Sequence, residues 1–452
     1  MGALNSVNPS TGETVGSVVV TPVADIGAIV ARAREAQRSW GALSVEARAE
    51  RLRPLGPALR AAAENLAALV TREMGKPIGD ARGEAGLISQ DVEEEIAEIV
   101  AALQPELREN ARMRSRLERV PLGVAVCITP WNFPLLMPHE QLLPALIAGN
   151  AVVYKPSEET PLCGEAYAAL LRPLLPDGLL QVVHGDERQG KALVDAEVDL
   201  IVFTGSRDAG KHILATASKE LKRVILELGG KDPLVVLDDA DMAAAASFAA
   251  RNSFRNGGQV CVATERIYVS ETCRPAFVEA LSKASSAWHT GDGFADGVRM
   301  GPMVNVRQRA RVARLVDDAI ARGATVAFRG DAPGDGAFYP PTVLTHLSDD
   351  MSIAIEETFG PVACVFSVAD EEEAIRRANE TRFGLGAVVF GAPDHARAVA
   401  SRLVAGMVGI NQSVGAAKGM PWVGAKESGY GFHSGPEGHR QFAQVKVLSE
   451  PK

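Results

Sequence analysis

An α/β fold made of two successive units is expected from three features of this 452-residue chain. From position 122 onward, short apolar runs alternate with helical patterns, the mark of parallel strands covered by helices on both faces. That alternation breaks near Gly229 and Gly230 and then resumes, which makes two α/β units. The chain is also too long for one ordinary core, and a hydrophobic content of 46% supplies apolar surface for two or three.

The elements follow in chain order. Asn8-Pro-Ser-Thr-Gly-Glu13 is turn-forming. Patterns rich in Ala, Leu, Arg and Glu predict helices over 23–40 and 45–75, the second stopping at Met74-Gly-Lys-Pro77. Another helix is predicted from 80 to about 103, followed after Pro105 by an alternating segment ending in Leu117-Glu-Arg-Val120. Strands are predicted at 123–128, 151–154, 179–183, 199–203 and 222–228, with helices at 138–148, 161–173, 187–195 and 207–219 between and after them. The second unit opens with a strand at 234–237, a helix at 241–254, a strand at 266–269 and a helix at 274–287.

Composition narrows the function. The net charge is −9 and the basic residues are dispersed, which argues against nucleic-acid or anionic-membrane partners. The densest basic group, Arg108, Arg112, Arg114, Arg116 and Arg119, alternates with other residues and reads as a solvated strand. Five cysteines stand apart at 127, 163, 261, 273 and 364, so neither a disulfide framework nor a metal site is expected. A reduced, cytoplasmic setting follows as an expectation. No apolar run reaches the length of a membrane span.

Four segments hold groups suited to chemistry. Cys261 follows the glycines of Asn256-Gly-Gly-Gln-Val-Cys261, which could expose a thiol of lowered pKa; the alternative is an inert buried cysteine. Glu227 lies at the carboxyl end of an apolar strand before two glycines, where α/β sheets place ligands; the alternative is a solvated strand end. Phe203-Thr-Gly-Ser206 opens a helix whose N–H groups could hold a phosphate, or is an ordinary turn. Asn132, fixed between Pro130 and Pro134, could donate to a developing oxyanion, or simply form the turn.

Together these segments resemble the aldehyde dehydrogenase superfamily. The resemblance spans nearly the whole chain, from Asn8-Pro-Ser-Thr-Gly-Glu13 to Lys426-Glu-Ser-Gly-Tyr-Gly431. Its landmarks come in the family's order: Pro121-Leu-Gly-Val124, Pro130-Trp-Asn-Phe-Pro134, Ala148-Gly-Asn150, Tyr154-Lys-Pro-Ser-Glu158, Phe203-Thr-Gly-Ser206, Glu227-Leu-Gly-Gly-Lys231, Gly258-Gln-Val-Cys261, Glu357-Thr-Phe-Gly-Pro-Val362 and Pro421-Trp-Val-Gly424. The branches resembled are those acting on succinate semialdehyde and betaine aldehyde.

The resemblance implies a Rossmann-like cofactor domain from 1–100 and 119–228, an α/β catalytic domain from 229–424, and a small β oligomerisation element from 101–118 and 433–452. It implies a homodimer or homotetramer. The implied catalytic set is Cys261, Glu227, Asn132 and Lys155. Cys261 forms a hemithioacetal and then a thioester, the Asn132 amide and the Cys261 N–H hold the oxyanion, and Glu227 activates the hydrolytic water. Thr129, Pro130, Trp131, Lys155, Ser157, Glu158, Gly185, Phe203, Thr204, Gly205, Ser206, Glu227, Leu228, Gly229, Glu357 and Phe359 are implied cofactor contacts. NAD is expected over NADP, because a Glu158 carboxylate accepts from ribose hydroxyls and repels a 2′-phosphate.

The implied pocket wall is Phe133, Met137, Glu140, Val260, Val262, Gln412, Ala416 and Trp422. Succinate-semialdehyde dehydrogenases carry an arginine where this chain has Glu140. A carboxylate there would repel that substrate, so a neutral, amino or polyol aldehyde is favoured; the alternative is that Glu140 turns away to an arginine elsewhere. Gly431-Phe-His-Ser-Gly-Pro-Glu-Gly438 departs from the family pattern and bears on subunit contact. Two rivals stand beside the dehydrogenase: a thiol esterase using the same residues without NAD, and a non-catalytic protein on this fold.

Overall fold

The structure, a computed structural model, describes residues 2–334, 336–415 and 417–452. Five parallel strands form the first large sheet: β1 (Val124–Ile128), β2 (Ala151–Lys155), β3 (Leu180–Val182), β4 (Leu200–Gly205) and β5 (Arg223–Leu228). Their order is β3-β2-β1-β4-β5, with the short segment Gly429–Tyr430 antiparallel on the outer edge of β5. Every residue of β1 and β2 is buried, as a parallel sheet covered on both faces requires. Strand order reverses between β1 and β4, and the crevice at their carboxyl ends is where such sheets bind ligands.

One hydrophobic core joins this sheet to the helices of the first hundred residues, including Trp40, Leu52, Leu59, Val70, Ile88 and Ile96. Two predicted helices are each divided. The span 45–75 is Val45–Leu52 and Leu55–Met74, because Pro54 has no N–H and cannot continue a helix. The span 80–103 is Ile78–Gln90 and Val92–Ala102, interrupted at Asp91 with φ −113 and ψ 17.

The second sheet contains β6 (Asp232–Val236), β7 (Thr264–Ser270), β8 (Thr325–Arg329), β9 (Thr342–Thr345), β10 (Val362–Val368), β11 (Gly386–Phe390) and β12 (Met407–Ile410). Its order is β8-β9-β10-β7-β6-β11-β12, and only the β8–β9 pair is antiparallel. Separate apolar cores line its two faces. The alternating segment after Pro105 is a hairpin, Glu106–Glu109 with Met113–Pro121, and the final strand Ala443–Pro451 pairs with its long arm. A two-stranded ribbon pairs Trp422 with His433 and Val423 with Phe432. No helix of the described residues is long and apolar enough to cross a membrane.

Candidate active site

The helix Met242–Phe254 ends in a left-handed turn through Asn256, Gly257 and Gly258, at φ 56, 65 and 69. Glycine is required at 258 on space as well as conformation: a Cβ there would lie 2.1 Å from the Gly360 carbonyl oxygen. This turn delivers Cys261 half-buried ahead of β7. Burial, and then the Glu227 carboxylate beside it, hold the Cys261 thiol well above its usual range.

Glu227 is the penultimate residue of β5 and is buried. The C-terminal segment reaches it three times. Gly429 pairs with its backbone, and the Trp422 indole N–H donates to Oε1 at 3.3 Å. Glu227 Oε2 lies 3.9 Å from His433 Nε2, and neither atom has a hydrogen-bond partner among the described residues.

The Asn132 loop is clamped from beneath. Lys76 Nζ donates to the Asn132 carbonyl at 2.9 Å, pairs with Glu84, and sits 4.1 Å from the Phe133 ring centroid. Glu84 in turn accepts the N–H groups of Leu135 and Leu136. The Asn132 amide donates one N–H to the Gln259 carbonyl at 3.1 Å, which leaves its second N–H for another acceptor.

The expected cofactor residues line the carboxyl edge of the first sheet and the loops facing it. Thr129-Pro-Trp131 follows β1, Lys155 ends β2, Phe203-Thr-Gly205 closes β4, and Glu227-Leu-Gly229 closes β5. Ser206 caps the helix Arg207–Ala217, its Oγ accepting from Ala209 N–H. Lys155 Nζ is 3.4 Å from Glu158 Oε2, and Ser157 Oγ accepts from Glu159 N–H. Gly185 has φ +150, and a side chain there would strike Gln189. Trp131 meets Phe359 edge to face with centroids 5.4 Å apart.

Glu357 Oε1 accepts from Gly230 N–H at 3.0 Å, and a Cβ on Gly229 would lie 2.4 Å from the Glu357 carboxylate. Burial pushes the Glu357 carboxyl up to about 8, and neighbouring Glu265 adds to the shift. A second buried ion pair fixes this loop: Lys231 Nζ is 2.5 Å from Glu265 Oε2, and Glu265 accepts the N–H groups of Thr358 and Phe359.

A cavity of about 700 Å³ has Cys261 and Glu227 in its wall. Of the expected wall, Phe133, Met137, Glu140, Val260, Val262 and Trp422 line it. Gln412 does not. It is exposed past the end of β12, and Ser413 and Val414 take that place. Ala416 lies outside the described residues. Glu140 faces the cavity, but its Oε2 accepts from Ser434 Oγ at 2.6 Å and lies 3.8 Å from His433 Nδ1. Its charge is therefore met inside the protein.

The model of the aldehyde dehydrogenase family matches residues 2–448. The chain belongs to this family. It is an oxidoreductase acting on an aldehyde. Among its relatives, the succinate-semialdehyde dehydrogenase (NADP(+)) of Escherichia coli is 36% identical over 455 residues, covering 99% of this chain and 94% of that one. The betaine aldehyde dehydrogenase of Agrobacterium fabrum is 36% identical over 452 residues, covering 98% and 92%. A solved structure of betaine aldehyde dehydrogenase from Staphylococcus aureus in complex with NAD+ superposes with a TM-score of 0.95 at 32% identity, covering 99% of this chain and 91% of that one.

Several residues of the site have no counterpart in the sequence reading. Leu136, Trp288, His433 and Ser434 line the cavity, and Lys76 and Glu84 support its Asn132 loop. The His433 segment, read as bearing on subunit contact, enters the site through the ribbon that sets His433 opposite Trp422. The family departure at 431–438 was the available signal. Its destination depended on a pairing that sequence spacing does not reveal.

Proposed function

We propose that this aldehyde dehydrogenase oxidises its substrate to the carboxylic acid with NAD, using Cys261 as nucleophile and Glu227 as base. The observation that carries this reading is the Cys261 thiol beside the Glu227 carboxylate in the wall of one cavity, at the carboxyl end of a strand of the first sheet.

The carboxyl edge fits a nicotinamide dinucleotide. Glycine at 229 leaves the space that any side chain would fill in front of Glu357, and Ser206 opens a helix whose first N–H groups favour a pyrophosphate. Lys155 and Glu158 would hold the adenosine ribose, and Glu357 and Phe359 the nicotinamide ribose. Glu158 favours NAD, since its carboxylate repels a 2′-phosphate.

In the reaction, the Cys261 sulfur loses its proton and adds to the aldehyde carbon, and the new oxyanion receives the free Asn132 N–H and the Cys261 backbone N–H. Bound NAD supplies the acceptor for the hydride given up by that carbon. Glu227 then takes a proton from water, hydroxide adds to the Cys261 thioester carbon, and the C–S bond breaks with sulfur leaving as thiolate.

The substrate is proposed to be a neutral aldehyde with an apolar body. Phe133, Leu136, Met137, Val262, Trp288 and Trp422 form the apolar part of a wall that also holds Arg251, Arg255 and Arg299, and the Glu140 charge is held by Ser434 and His433. A homodimer or homotetramer is proposed through the nine-residue strand Ala443–Pro451, one edge of which is unpaired among the described residues. A cytoplasmic location is proposed from five free cysteines.

The test is formation of reduced nicotinamide from NAD or NADP, for wild type and Cys261→Ala, with succinate semialdehyde, an aminoaldehyde, glycolaldehyde, butyraldehyde and benzaldehyde. The expected result is thiol-dependent turnover with NAD, highest on a neutral apolar aldehyde. Turnover that survives loss of Cys261 would overturn the mechanism, and a higher kcat/KM for succinate semialdehyde than for butyraldehyde would overturn the substrate class.

A further inference from the structure

We propose that His433 is a positioning residue for Glu227: an imidazolium held between Glu140 and Glu227 that fixes the orientation of the catalytic carboxylate beside Cys261. The inference rests on Glu227 being the base.

The hydrogen-bond directions argue for the charged ring. Ser434 Oγ has one proton, and it goes to Glu140 Oε2 at 2.6 Å. The 2.8 Å contact between Ser434 Oγ and His433 Nδ1 therefore needs the proton on Nδ1. In a neutral ring the Nε2 lone pair would then face Glu227 Oε2, acceptor against acceptor, 3.9 Å away with both atoms otherwise unpartnered. A second proton on Nε2 removes this conflict and sets a positive charge 3.9 Å from the orphaned carboxylate oxygen. The two carboxylates on either side of this buried ring hold its pKa up at about 9 against desolvation.

The remaining groups agree. The titratable side chains facing His433 are Glu140 from the helix Leu136–Ile147 and Glu227 from β5; His139 lies beyond Glu140, and Cys261 beyond Glu227. Proximity to His433 and Ser434 drives Glu140 down to about 2 despite burial, so the outer carboxylate stays charged. The ribbon register places His433 opposite Trp422, so each carboxylate oxygen of Glu227 faces one N–H donor from the same ribbon. Ser434 adopts φ 60 and ψ 155, a conformation rare for a residue with a side chain. In it, the hydroxyl bridges the ring and Glu140.

The test uses 4-nitrophenyl acetate, which acylates Cys261 without an aldehyde or a cofactor and so isolates thioester hydrolysis. In His433→Asn the acylation burst is expected at full amplitude, while steady-state release slows about tenfold at neutral pH, the loss expected when the base is no longer held in place. Hydroxylamine, which attacks a thioester without a general base, restores turnover. Glu140→Gln removes only the outer carboxylate and is expected to bring the alkaline limb down from about 9. Unchanged deacylation profiles in both variants, with Glu227→Gln slow, would refute the role of His433. Unchanged deacylation in Glu227→Gln would instead refute the reading of Glu227 on which it rests.

Discussion

Glu84→Gln tests whether the buried pair beneath the catalytic loop is held together by charge. Lys76 and Glu84 side chains are each 1% exposed. Glutamine keeps one oxygen for the Leu135 and Leu136 N–H groups but turns an NH₂ toward the Lys76 ammonium, donor against donor. Breaking a buried pair from one side costs about 3–5 kcal/mol. The contacts of Lys76 with the Asn132 carbonyl and the Phe133 ring are present in both proteins and do not offset this, though they limit rearrangement of the lysine. A loss of about 3 kcal/mol is expected in urea unfolding. Lys76→Met alone should cost a similar amount. The double variant should fall short of the sum by at least about 2 kcal/mol, because removing both charges leaves neither buried without a partner. Turnover should drop on the order of tenfold as the Asn132 peptide shifts. Additive single effects, or a Glu84→Gln protein within about 0.5 kcal/mol of wild type, would show that the pair is not coupled as described.

Three further outcomes are expected. Asn132→Ala should lower kcat by about 10²–10³, the loss of one oxyanion donor, with little change in NAD affinity; an equal rise in KM at constant kcat would assign Asn132 to substrate binding instead. Glu158→Ala should raise the NADP-to-NAD ratio of kcat/KM by roughly tenfold, and an unchanged ratio would remove Glu158 from the choice of cofactor. Because burial and Glu227 together raise the Cys261 thiol, its alkylation by iodoacetamide should keep increasing as the pH climbs past the ordinary thiol range. Glu227→Gln should move that curve to lower pH and speed the reaction at neutrality. A slower neutral reaction in the variant, followed at the Cys261 peptide by mass, would contradict this sign.

The β-strands of the first sheet were legible because parallel strands buried on both faces are written as unbroken apolar runs, as in Val124–Ile128 and Ala151–Val153. The helix division at Asp91 was not, since no proline or glycine marks it. Cys261, Glu227 and Asn132 stood out through their short motifs, each of which sits at a strand or helix end. Lys76 was visible only as part of a helix stop, because its partners Glu84 and Asn132 are 8 and 56 residues away. Glu140 was identified as a wall residue, but its compensation by Ser434 spans 294 residues. Charge pairing across the fold, not residue type, is what the chain order conceals.

The contact between Gly258 and Gly360 has a mechanical consequence. With no room for even a methyl group between them, the loop presenting the thiol and the loop presenting Glu357 and Phe359 are meshed like two gear teeth. A displacement of one is expected to drag the other, so movement at Glu357 and Phe359 should reach the sulfur. Slowing of amide hydrogen exchange at Gln259–Val262 on addition of NAD would register that transmission, and bulk at either glycine would jam it.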